Sequence, residues 1–64
     1  MFKVVEFYRD GEQSEWGRKF NMKHSAEKAI MDDIDMNFDN CSDMIEKYRI
    51  INENGKTIKI IYCD

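Results

Sequence analysis

Oxygen-bearing side chains recur through the middle of this 64-residue chain at Asp35, Asn37, Asp39, Asp43 and Glu46. Counted from Asp35, they fall at the first, third, fifth, ninth and twelfth places of one run. At that spacing a loop can wrap oxygen ligands around a hard cation such as Ca²⁺. Three features work against such a site. Asn40 stands where the loop needs its tightest turn, and Ser42 where an aliphatic residue would anchor it. The residues from Met44 onward read as a strand, whereas a twelfth-place Glu is normally carried by a helix. A polar helix end running into a loop accounts for the pattern more simply, so neither a metal nor any other cofactor is expected.

Other chemistry finds little support. His24 is the only histidine and lies beside a predicted helix start. No Ser or Cys stands at motif spacing from a base, and no glycine-rich phosphate loop occurs. A chain of this length is not expected to enclose a deep pocket. The expectation is a protein that is not an enzyme.

Charge is more informative. Residues 27–46 hold seven acids against one base, a net of −6; the remaining nine bases and six acids net +3, giving −3 for the chain. Asymmetry of this kind bears on partners and on steering. Glu27, Asp32, Asp35, Asp39 and Asp43 are predicted to form a negative ridge along a helix and its exit loop. Such a ridge complements a basic surface on a protein partner, including one that ordinarily holds nucleic acid.

These residues must be positioned by a single domain, 1–64, since a chain this short holds one core. Phe2–Arg9 and Glu15–Lys23 read as strands around a loop opened by Asp10-Gly11. In the second strand Trp16, Arg18, Phe20 and Met22 form the side that can face a core. Ser25 is the expected N-cap of a helix, with Glu27 in its first turn. Ala26, Ala29, Ile30, Ile34 and Phe38 recur at helical spacing, and the helix should end near Met36–Phe38. Met44–Asn52 and Lys56–Cys63 read as a hairpin. A three-residue loop with Gly55 left-handed pairs Ile50 with Ile58, Tyr48 with Ile60 and Glu46 with Tyr62. This separates polar from apolar faces better than a two-residue Asn-Gly turn.

The predicted architecture is α+β: ββαββ, a four-stranded, mainly antiparallel sheet with one helix on one face. The other face would show Lys19, Lys23, Lys47, Arg49 and Lys59 together with Ile45, Ile51 and Ile61. So much isoleucine suggests a contact surface, such as a homodimer interface. Lys47, Arg49 and Lys59, interleaved with Tyr8, Trp16 and Tyr48, are the residues through which the sheet would bind nucleic acid directly. The acidic balance of the chain opposes that reading.

The start, Met1-Phe2-Lys3-Val4-Val5-Glu6, lacks the continuous apolar stretch of a signal peptide, and no run reaches membrane-spanning length. A cytoplasmic protein without a membrane partner is expected, in which Cys41 and Cys63 remain reduced thiols.

Three resemblances follow from these residues. The run from Asp35 to Glu46 resembles the calcium loop of the EF-hand family, which implies Asp35, Asn37, Asp39, Asp43 and Glu46 as its ligands. Trp16-Gly17-Arg18 resembles the WGR domain, which binds nucleic acid in poly-ADP-ribose polymerases; Trp16 itself reads as a core anchor with a polar edge. In size, strand–helix order, acidic ridge and lack of catalytic residues, the whole chain resembles the small phage-encoded inhibitors of host defence, anti-CRISPR proteins and antitoxin-like blockers. That resemblance implies a module that occupies the surface of a host protein.

Overall fold

A computed structural model describes residues 1–36 and 44–63 of the chain. Its elements follow the predicted order: β1 (Phe2–Tyr8), β2 (Gln13–Phe20), α1 (Lys23–Met36), β3 (Ile45–Ile51) and β4 (Thr57–Tyr62). The four strands form one antiparallel sheet in the order β2-β1-β3-β4, so the fold is α+β with an open sheet. Both β2 and β3 run antiparallel to β1 and therefore parallel to each other, which demands a long crossover. α1 lies on that crossover and covers one face.

The core is small. Val4, Phe20, Ala26, Ile30, Ile45, Tyr48, Ile50 and Cys63 form one buried cluster, with Phe2, Trp16, Ala29, Ile34 and Ile61 packed against it. The helical stripe read from the sequence faces this cluster through Ala26, Ala29, Ile30 and Ile34; Phe38 lies outside the described residues.

Element boundaries differ from expectation at two places. β2 begins two residues earlier than predicted and ends at Phe20, so Met22 leaves the core side and is 61% exposed. α1 begins at Lys23, because the Met22 carbonyl already accepts from the Ala26 amide at 3.3 Å. Ser25 therefore sits inside the first turn and is not the N-cap. Glu27 falls beyond that turn, which contains no acid.

The β3–β4 register is the larger correction. At the turn the predicted loop holds: Gly55 has φ +82°, its amide donates to the Asn52 carbonyl at 3.0 Å, and Ile51 pairs with Thr57. A bulge then shifts the ladder by one residue. Ile50 pairs with Lys59, Tyr48 with Ile61 and Lys47 with Tyr62, in place of the pairings expected for Ile50, Tyr48 and Glu46. The bulge turns Ile61 and Cys63 toward the core, and burying these two sets the register over most of the ladder. A second bulge, between the Phe7 and Tyr8 pairings, brings Ile45 into the core cluster.

Candidate functional site

Two carboxylates on the helix-covered side are held by the sheet. Glu6 accepts the Trp16 Nε1–H at 2.7 Å and the Tyr8 hydroxyl at 2.8 Å. Asp33 accepts the Tyr48 hydroxyl at 2.8 Å, joining the middle of the sheet to α1. Burial, then the bond to Asp33 and its charge, push the Tyr48 hydroxyl well above the usual tyrosine range. The Tyr8 hydroxyl is also raised, chiefly by its bond to Glu6. Trp16 packs edge-on to Tyr48, ring centroids 6.1 Å apart, and lies tilted against Phe20 at 6.4 Å. It is thus a core anchor with a polar edge, as read from the sequence.

The predicted acidic ridge is thinner than the sequence suggests. Glu27 pairs with Lys59 Nζ at 2.8 Å, and that bond holds its carboxyl below the usual range. Asp32 and Asp35 are exposed on α1 and form no ion pair among the described residues. Asp39 and Asp43 lie outside the described residues. Asp32 also lines an open groove of about 480 Å³ between α1 and the edge strand β2, together with Trp16, Arg18, Lys28, Asp33 and Met36. That volume falls within the range of small-ligand pockets, which the short chain was not expected to offer.

The calcium reading divides in the same way. Asp35 lies on α1 and Glu46 on β3, while Asn37, Asp39 and Asp43 lie outside the described residues. Glu46 is borne by a strand, as the sequence suggested, and not by the helix such a loop needs. Among the described residues no group of three or more His, Cys, Asp or Glu side chains is placed to hold a metal ion.

The basic face needs correcting. Lys47, Arg49 and Lys59 were expected together, but the shifted register separates them. Lys59 pairs opposite Ile50 and reaches Glu27 on the helix side, while Lys47 and Arg49 project from the other face. Lys23 is the first residue of α1, and Ile45 and Ile61 pack with the core. Of the residues expected on the open face, Lys19, Lys47, Arg49 and Ile51 remain.

What that face carries instead is an aromatic–cation array. Phe7, Lys47 and Tyr62 form one cross-strand row, Val5, Arg49 and Ile60 the next, and Lys3 and Ile51 the third. The Arg49 guanidinium lies 4.5 Å from the Phe7 ring centroid, and Lys47 Nζ lies 5.5 Å from Phe7 and 6.0 Å from Tyr62. No described element covers this face. No family model, curated protein or solved structure matches this chain. Its surfaces therefore have to be read from their own chemistry. Tyr62 escaped the sequence reading because the expected β4 register sets it opposite Glu46, and Phe7 because local pattern does not reveal that β1 pairs with β3.

One other residue changes status. Cys63 is buried and disulfide-bonded, in contrast to the reduced thiol expected; Cys41, the one other cysteine of the chain, lies outside the described residues. No helix among the described residues is long and apolar enough to cross a membrane.

Proposed function

We propose that this protein is a non-enzymatic binding module that occupies a basic surface of a protein partner through the outer side of α1. One observation carries the reading: Asp32 and Asp35 are exposed and form no ion pair among the described residues, while Glu27 and Asp33 are engaged by the sheet. Desolvating a carboxylate that already has an internal partner costs more than engaging one that faces water. The two outward acids are therefore the ones available to a cationic partner. Asp39 and Asp43 extend the acidic run along the sequence. Opposite charge on partner surfaces raises the encounter rate and fixes orientation more than it adds affinity.

A basic surface of this kind includes the nucleic-acid-binding site of a host-defence complex, the target implied by the resemblance to phage-encoded inhibitors. The proposed setting is the cytoplasm, where the state of the Cys63 disulfide would follow the thiol pool.

The test is capture of partners from host lysate by the native chain and by an Asp32→Lys/Asp35→Lys variant with an unchanged melting temperature. The captured protein should be lost with the variant. Its association rate with the native chain should fall as salt rises, and that dependence should be weaker for the variant. Capture and association kinetics indifferent to the reversal would sink the reading.

A further inference from the structure

The helix-free face of the sheet combines three things that a flat protein surface rarely shows together. Among its paired residues the charged ones are Lys3, Lys19, Lys47 and Arg49, against the single acid Glu15, which Lys3 meets at 3.2 Å. It carries two aromatic rings on either side of β3: Phe7, half-buried, and Tyr62, 60% exposed. The Arg49 guanidinium is laid against Phe7, and its Nε is buried without a hydrogen-bond partner. Stacking thus holds the guanidinium in place, and among the described residues no carboxylate forms an ion pair with it.

A second copy of the chain is a poor occupant for this face. A two-fold sheet-to-sheet contact would set this net-positive face against its own copy, and like charges brought together at an interface oppose association. An anionic occupant suits the charge. Acidic protein segments and nucleic acid both meet that condition, and the aromatic content separates them. Every base offers a π-face to an exposed ring or to an arginine plane, whereas an acidic side chain has no such face and could engage Tyr62 only through its hydroxyl. Across two strand spacings, Phe7 and Tyr62 stand roughly 10 Å apart, with Lys47 between them. That arrangement fits separated, unpaired bases with a phosphate at the central cation, and it does not fit the closed edge of a duplex.

We propose that the open face of the sheet binds single-stranded nucleic acid, with Tyr62 and the Phe7–Arg49 stack receiving bases and Lys47, Lys3 and Lys19 meeting the phosphates. Lys59, turned to the helix side, takes no part. The surface lies on the opposite side of the sheet from α1 and is independent of the reading given for Asp32 and Asp35.

Fluorescence anisotropy of a labelled single-stranded oligonucleotide of mixed sequence, titrated with the full chain across a salt series, tests this directly. Tyr62→Ala should weaken binding roughly tenfold with little change in the salt slope, because it removes stacking. Lys47→Gln should weaken binding and reduce the salt slope by about one. Lys59→Gln should leave binding unchanged. Tyr62 and Lys47 are not core residues, and each variant is checked for an unaltered melting temperature. Absence of binding at low salt would overturn the proposal. So would binding indifferent to Tyr62→Ala, equal binding of the duplex, or equal displacement by polyglutamate, which would assign the face to an acidic protein. Concentration-dependent dimerisation abolished by Tyr62→Ala would assign it to a second copy and also overturn the proposal.

Discussion

The Tyr48 hydroxyl, on a residue with no exposed surface, donates to Asp33 Oδ2 at 2.8 Å and so ties the second central strand to the third turn of the helix. Loss of either partner has unequal consequences. Tyr48→Phe removes a bond to a carboxylate that is partly exposed and can recruit water, and should cost about 1 kcal/mol. Asp33→Ala leaves a buried hydroxyl unpaired and should cost more, about 2 kcal/mol. Urea midpoints of the two single variants and the double variant, read as a cycle, measure the coupling.

The same hydroxyl predicts how stability responds to alkali. Folding raises its pKa, so folded and unfolded chains are equally protonated below the ordinary tyrosine value of about 10, and stability there is indifferent to this group. As pH climbs through that value the unfolded chain releases the proton first, and stability should fall with rising pH. Melting temperatures at alkaline pH should therefore drop more steeply for the native chain than for Tyr48→Phe. Parallel curves would show that the hydroxyl titrates alike in both states.

Ile30 is fully buried on α1, while its neighbour Met31 is 52% exposed. Ile30→Ala should cost about 3 kcal/mol, enough to unfold much of a domain this small. Met31→Ala should change stability by less than about 0.5 kcal/mol. Circular dichroism melts of the pair would show whether the helix is held by its stripe.

Two glycines with open surroundings are predicted to differ. Neither Gly55 nor Gly17 has any atom within 4 Å of an added Cβ, but Gly55 alone of the two has a left-handed φ, +82°. Gly55→Ala should cost about 1 kcal/mol through backbone strain. Gly17→Ala meets no such strain and should be neutral or slightly stabilising. Chemical denaturation of both variants checks this.

Reduction should also cost stability. The disulfide at Cys63 restrains the unfolded chain, and a cross-link of this kind typically contributes about 2–4 kcal/mol in the chain-entropy account. Melting with and without reductant, set beside a Cys41→Ser/Cys63→Ser variant that reductant should not affect, measures it. An unchanged melting temperature on reduction would place the cross-link's contribution near zero.

Much of the architecture was legible in local patterns. Alternation from Trp16 to Phe20, the stripe of Ala26, Ile30 and Ile34, and the left-handed Gly55 each reflect a period or a backbone preference that neighbouring residues carry by themselves. The elements and the α+β class were determined at that level. The faces were not. A single-residue bulge in β4 reverses which of Lys59, Ile60, Ile61 and Tyr62 meets the helix, and local alternation favours the register that most of the ladder does not adopt. Only packing decided it, since burying Ile61 and Cys63 and joining Lys59 to Glu27 require the shifted ladder. The charges followed the same rule. The sequence determined how many acids the middle of the chain holds, but the fold decided that Glu27 and Asp33 are engaged from within, that Asp32 and Asp35 face outward, and that Phe7 and Tyr62 flank Lys47. Charge count is a property of composition, whereas the partners a charge meets depend on which strands lie beside it.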